Sequence, residues 1–354
     1  MKKGNLVHKF AGCNTPQGYI SFAEENLGRL ERVFVLLGAP GCGKSSMIKR
    51  VAKNLQDRGY DVELWQEAVE PESAAGVVIP QLGVAVVDAG WQQKWALHNP
   101  GVVEEICNLG SCWQQNKLRR NHREIKRLSA QIKAAMQQEA GLLAVYGGEQ
   151  VSYAAADVRL SEEELGAVCS QLAEEIFAEE NLQVRRFFAE VLTANGLQSY
   201  AQELSAACRR RFLLTEQAAE ILTHLADEVV RRGHNVDLYY SFWQPDKLCM
   251  LILPQASVAV LAADLPDLQP LYDDVLLRLP QDNLTSTAEA EEQTGVGDKE
   301  AADIDEIIVR MKQEYHLREE LAAYYTAAMD FGQVDKISNE ILSKIWQMAA
   351  EREC

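Results

Sequence analysis

Residues 38–46 read GAPGCGKSS, that is Gly38, Ala39, Pro40, Gly41, Cys42, Gly43, Lys44, Ser45 and Ser46, and they follow the apolar run VFVLL of residues 33–37. The spacing Gly38-x4-Gly43-Lys44-Ser45 is that of a phosphate-binding loop, and each residue type in it has a mechanical reason. Glycines at 38, 41 and 43 let the backbone turn tightly, so that successive N–H groups converge on phosphate oxygens with no Cβ in the way. Lys44 is placed to reach the β- and γ-phosphates, and the Ser45 hydroxyl to ligate Mg²⁺. Before the loop, VFVLL predicts a strand. After it, SSMIKRVAKNLQDRG carries Met47, Ile48, Val51 and Leu55 at helical spacing and predicts a helix ending at Gly59. Strand, glycine loop and helix N-terminus together aim the helix dipole at an anion.

Further along, DVELWQ (61–66) predicts a second strand, and GVVIPQLGVAVVDAG (76–90) contains two apolar runs broken by Pro80 and Gly83. The second run ends at Asp88. Apolar residues followed by aspartate are the form of a Walker B strand, whose carboxylate holds Mg²⁺ directly or through water. Glu67, just past the second strand, is a catalytic candidate that would position or deprotonate a water; the alternative is a solvated loop glutamate. Cys42 lies inside the loop, where oxidation would block binding if the thiol were reachable; a tolerated small side chain is the plainer reading.

The chain repeats itself. Residues 58–88 align without a gap on 232–262, with ten identities: Arg58, Gly59, Val62, Leu64, Pro71, Pro80, Gln81, Val84, Ala85 and Val86. Upstream, 10–36 matches 188–214, where Phe10, Ala11, Thr15, Gly18, Ser21, Ala23, Glu25, Arg32, Phe34 and Leu36 recur. The offset falls from 178 to 174 between these blocks, so four residues are missing from the second copy at the loop itself. There Gly43 is replaced by Gln217, Lys44 by Ala218, Ser45 by Ala219 and Asp88 by Ala262. Loss of the aspartate together with the lysine and serine, while its apolar neighbours persist, is what a metal carboxylate shows once a nucleotide site has decayed. Glu63 stays acidic as Asp237 and reads as structural; Glu67 becomes Ser241.

Each half ends in a helical segment. The run from Val102 is read as helical up to Gly147-Gly148, and a second helix begins at Ser161 with Glu164 at the capping-box position. In the second half, 302–330 and 333–353 would form an equivalent pair. Residues 281–302 are acidic and nearly free of large apolar side chains, the composition of a linker. Seven basic residues fall between Lys117 and Lys133 against one acid, Glu124. A solvated helix face explains such a run; an RNA-binding face or a lid carrying an arginine to phosphate are the functional readings.

Composition narrows the classes. The formal charge of −17 argues against broad attraction to nucleic acid or an anionic membrane. No apolar run is long enough to span a bilayer, and the N-terminus shows no signal-peptide pattern, so a cytoplasmic protein is expected. The eight cysteines are scattered, as reduced thiols would be.

In HKFAGCNTPQGYISF, GAPGCGKSS, RGYDVEL, GVVIPQLGVAVVD and NPGVVEEICNLGSCW, the chain resembles a family of uncharacterised bacterial tandem P-loop ATPases. The resemblance implies a P-loop NTPase fold repeated twice and ATP binding. Members of that family commonly keep a phosphate loop in both halves, whereas here the second is erased, and the run after the Walker B aspartate is replaced by AGWQQKWALH. The expectation is therefore α/β, with two tandem P-loop NTPase-type domains related by duplication and packed as an internal pseudo-dimer. Residues 1–180 would hold the intact loop and a helical insertion at about 100–178. Residues 181–354 would form the degenerate half, with its acidic linker and C-terminal helices. The expected activity is Mg²⁺-dependent ATP hydrolysis. The rivals are a nucleotide or small-metabolite kinase with the insertion as lid, and a nucleotide-gated protein that recruits a partner through its helices.

Overall fold

A computed structural model describes residues 2–70, 72–90, 98–153, 183–215, 217–277 and 298–353. The chain divides into two compact units. One comprises Met1–Asn14, Tyr19–Glu139 and Met311–Cys354; the other comprises Thr15–Gly18 and Ala140–Arg310.

In chain order the N-terminal elements are β1 (Leu6–Lys9), the hairpin β2 (Gly12–Thr15) and β3 (Gly18–Ser21), α1 (Ala23–Leu27), β4 (Arg32–Leu37), α2 (Lys44–Gln56), β5 (Val62–Gln66), β6 (Ala74–Ile79), β7 (Val84–Asp88) and β8 (Glu104–Asn108). A six-stranded mixed sheet runs β1-β5-β6-β7-β4-β8. Strand β6 is antiparallel to both neighbours and the remaining pairings are parallel. Helices α3 (Gln115–Arg120) and α4 (His122–Tyr153) follow.

The second sheet repeats the first. Its chain holds β9 (Val184–Phe188), the hairpin β10 (Glu190–Thr193) and β11 (Gly196–Ser199), α5 (Ala201–Ala206), β12 (Arg210–Leu214), α6 (Ala218–Arg231), β13 (Val236–Tyr240), β14 (Leu248–Leu253), β15 (Val258–Ala262) and β16 (Val275–Leu277). The spatial order β9-β13-β14-β15-β12-β16 matches strand for strand, with the same directions. Small irregularities recur too. The register slips between Trp65 and Gln66 in one sheet and between Tyr239 and Tyr240 in the other. At the hairpin tips, Thr15 and Thr193 each donate through Oγ1 to a glycine carbonyl, Gly18 or Gly196, at 2.7 Å. Both glycines have positive φ, which is why the repeat keeps glycine there.

The buried charges follow the same logic. Lys9 pairs with Glu63 at 3.1 Å in the first sheet, and Arg185 with Asp237 at 2.6 Å in the second. Glu63 is thus a structural partner of a strand cation, as its acidic counterpart suggested.

Three expectations from sequence need correction. First, 102–114 is not helical: Glu104–Asn108 forms β8 beside β4, because the open edge of β4 offers a ladder of backbone partners, and a 3₁₀ turn at Leu109–Cys112 follows. Second, α4 runs through Gly147 and Gly148 to Tyr153. Gly147 is explained by packing, since a Cβ there would lie 2.1 Å from the Cβ of Pro16. Third, α7 (Asp298–Ala328) and α8 (Phe331–Glu353) form the expected C-terminal pair, but Met311–Cys354 belongs to the N-terminal unit rather than to a 181–354 domain. Val334, Ile341, Leu342, Ile345 and Ala349 complete the core that contains Met47, Ile48, Val51 and Leu55 of α2. Leu128 and Ile132 of α4 close a second cluster with Leu321 of α7.

The helix expected from Ser161, most of the 281–302 segment and residues 91–97 lie outside the described residues. Among the described residues, no helix is long and apolar enough to cross a membrane.

Candidate functional site

Strand β4 ends at Leu37, and the chain turns through Gly38–Gly43 into α2, whose first residue is Lys44. Gly41 and Gly43 have φ of +78° and +93°, a region that costs side-chain-bearing residues about 1–2 kcal/mol. Gly38 serves a different purpose. A Cβ at 38 would lie 2.5 Å from Cys42 Sγ, because the Cys42 side chain folds under the loop into the core beside Leu109. Cys42 is fully buried and burial raises its thiol pKa. It is a packing residue, and the reachable thiol considered from sequence is absent. Its N–H faces the Ala39 carbonyl at 3.4 Å.

Above the loop lies a cavity of about 470 Å³. Of the nine loop residues, Pro40, Gly41, Gly43, Lys44, Ser45 and Ser46 line it, while Gly38, Ala39 and Cys42 do not. Gly43 caps α2 with no side-chain acceptor for the first helical N–H groups, which leaves those donors for an anion.

Lys44 is held from both sides. Its Nζ donates to the Gly38 carbonyl at 2.8 Å and lies 2.8 Å from Asp88 Oδ1. Asp88 arrives at this point because β7 lies parallel to β4 in a register that pairs it with Leu36. The same Oδ1 accepts from the Gly90 amide at 2.9 Å. Ser45 Oγ accepts from the Ala74 amide at 2.9 Å, tying the start of α2 to β6. Lys44, Ser45, Asp88 and Glu67, four residues chosen from sequence, therefore converge on one cavity.

Glu67 sits one residue past β5, its amide donating to the Ser73 carbonyl at 2.9 Å. Burial pushes its carboxyl up to about 7; Arg318 opposes that rise, and Asp88 and Glu70 add to it. A carboxyl poised near neutrality can exchange a proton with water at physiological pH. In the second sheet the acid has moved: Ser241, the counterpart of Glu67, donates at 2.9 Å to Glu190, the counterpart of Gly12. That unit keeps a buried carboxyl, also raised to about 7 by burial, at the start of the β10 hairpin strand.

The corresponding, shorter turn of the second unit keeps a left-handed residue before its helix but not the loop's lysine and serine. Gln217 caps α6 in a left-handed conformation, φ 48°, as Gly43 caps α2, and Ala218 stands where Lys44 stands. Arg211, within the basic triplet, is buried against Asp274 at 3.0 Å. In the 117–133 run, Arg127 bonds Glu124 and Gln131 on its own helix, and Lys117 Nζ donates to the Ala327 carbonyl at 3.1 Å.

The far wall of the cavity was invisible to sequence reasoning. Helix α7 contributes Tyr315, Arg318, Glu319, Ala322 and Thr326, and Phe331 opens α8. Thr326 Oγ1 donates to the Gly41 carbonyl at 3.0 Å. A Cβ at Gly41 would lie 2.4 Å from the Ala322 carbonyl oxygen, so glycine there answers to α7 as well as to its own φ. About 280 residues separate these groups from the loop, and no local spacing signals such a contact.

Among the described residues, no cluster of three or more His, Cys, Asp or Glu side chains forms a metal cage. Ser45 and Asp88 would hold Mg²⁺ only together with oxygens of a bound phosphate, which is the way this ion is usually held. Comparison with protein-family models, curated proteins and solved structures finds no match.

Proposed function

We propose that the N-terminal unit binds a nucleoside triphosphate with Mg²⁺, ATP by default, and hydrolyses it, and that the second unit has kept the fold as a structural or regulatory lobe. The observation that carries this reading is the position of Lys44. Its ammonium group stands at the mouth of a glycine turn, between Gly38 O and Asp88 Oδ1. Backbone amides at the start of α2 face the same cavity.

In this reading, the amides of 39–45 and the Lys44 ammonium group carry charge that develops on the β–γ bridging and γ-phosphoryl oxygens. Ser45 and Asp88 would hold Mg²⁺ together with phosphate oxygens, and the ion would supply neutralisation of phosphate charge there. Glu67, half-buried and near neutral in pKa, takes a proton from the attacking water. Asp88 also aims Lys44, its Oδ1 lying 2.8 Å from Nζ.

The test is incubation with γ-labelled ATP and Mg²⁺, with GTP as comparison and a small-metabolite extract in a parallel sample. Free labelled phosphate that disappears in Lys44→Ala is the expected product. Label carried into an organic product would make the enzyme a kinase instead.

A further inference from the structure

A buried polar chain leads from the core of the N-terminal unit to the cavity wall opposite Lys44. Asn14 Nδ2 donates to Glu139 Oε1 at 2.7 Å. Glu139 faces Glu314, and both carboxyls are fully buried. Two buried carboxylates in contact cannot both stay ionised. Burial and the neighbouring Glu314 raise Glu139 to about 8, so Glu139 keeps its proton at neutral pH. Arg318, one turn along α7, donates through Nε to Glu314 Oε1 at 2.7 Å. Its side chain is 12% exposed and lines the cavity with Lys44, Ser45 and Asp88. Nη2 lies 2.6 Å from the same Glu314 oxygen but is not aligned to hydrogen-bond it.

A guanidinium group has five donors, and Glu314 engages few of them well. Arg318 lines a cavity already equipped to hold an anion, and its Nη2 is buried with no hydrogen-bond partner. Desolvating an arginine is costly unless a partner is supplied, and a buried acid pair that secures one edge of the group leaves the other edge fixed in direction.

Resting on the nucleotide reading above, we propose that Arg318 contacts the terminal phosphoryl group of the bound triphosphate and distinguishes triphosphate from diphosphate, with Glu314 and Glu139 as positioning residues that hold its guanidinium group toward the site. Helix α7 would then complete a site whose loop lies about 280 residues earlier in the chain. Glu67 and Glu70, within electrostatic reach of Arg318, are the groups that a phosphate would displace as its partners.

The test compares affinities for Mg²⁺ with ADP and for Mg²⁺ with a non-hydrolysable β,γ-imido analogue of ATP. The full-length wild type is expected to prefer the triphosphate. Arg318→Ala should reduce that preference on the order of 10- to 100-fold, the worth of a charge-assisted hydrogen bond, while ADP affinity stays unchanged. Glu314→Gln should reduce the preference in the same direction, again without loss of ADP binding; a purely structural defect would weaken both nucleotides together. If Arg318→Ala does not fold, the paired variant Glu314→Gln/Arg318→Gln keeps a neutral hydrogen-bonded pair and is expected to lose the preference equally. A variant that folds and retains the wild-type ratio would overturn the role of Arg318 while leaving nucleotide binding intact. A wild type that binds neither nucleotide would overturn the nucleotide reading, and this proposal with it.

Discussion

Glu67 gives the account a handle on pH. Its carboxyl is raised from 4.5 to about 7 in the folded protein, so between those values the folded state holds a proton that the unfolded chain has released. The stabilising contribution is complete below about pH 4.5 and is lost as pH rises through about 7. Glutamine cannot ionise and loses nothing over that interval. Urea unfolding of wild type and Glu67→Gln at pH 5 and pH 8 should therefore show a gain for the variant that is larger at pH 8, by on the order of 1–3 kcal/mol. The other raised carboxyls, Glu70, Glu139 and Glu190, are present in both proteins, and of these Glu70 is the one that interacts with Glu67. An equal difference at both pH values would mean that Glu67 ionises normally, and the general-base role would lose its support.

The loop between β4 and α2 is where element geometry and chemistry are hardest to separate. Gly38 is required by the thiol beneath it, which lies 2.5 Å from where a Cβ would be. Gly38→Ala should cost about 1–3 kcal/mol through overpacking, and most of that cost should vanish in a Cys42→Ala background. A double-mutant cycle measures this, and additive effects would disprove the contact.

The elements of this half were largely legible from sequence. VFVLL, the periodic run after Lys44, DVELWQ and the two runs around Pro80 became β4, α2, β5, β6 and β7 because each carries its own periodicity and its own stop signal. Lys44 and Ser45 were legible from loop spacing, Asp88 from its place at the end of an apolar run and Glu67 from its place after a strand, and the decayed copy changes all four. Strand β8 was misread because EEICN has no clean alternation, and only the open edge of β4 makes it a strand. The glycines at 147 and 148 looked like a stop, yet packing of Gly147 on Pro16 overrides the local preference. Arg318 was missed because helical periodicity cannot say which sheet a C-terminal helix covers.

For the molecule as a whole, the chain order of the repeat does not coincide with the order of its cores. The second sheet reproduces the first strand for strand, but the first core is finished by α8 from the end of the chain. Val334, Ile341, Leu342 and Ile345 are buried there, each worth about 1.5–3 kcal/mol, and their sum is comparable to the entire stability of an ordinary domain at about 5–15 kcal/mol. A fragment of residues 1–180 should therefore show no cooperative thermal transition, and joining residues 311–354 to it through a flexible linker should restore one. Cooperative melting of 1–180 alone, at the temperature of the full chain, would show that α8 is dispensable to this core.

The central claim is that one phosphate site exists, built on Lys44, and that its counterpart at Ala218 is dead. Calorimetric titration of the full-length protein with Mg²⁺ and the non-hydrolysable ATP analogue tests it most directly. The account predicts one equivalent bound per chain by the wild type and at least about 100-fold weaker binding by Lys44→Ala, the loss of a charge-assisted contact at the centre of the site. Two equivalents, no binding by the wild type, or undiminished binding by Lys44→Ala would contradict it.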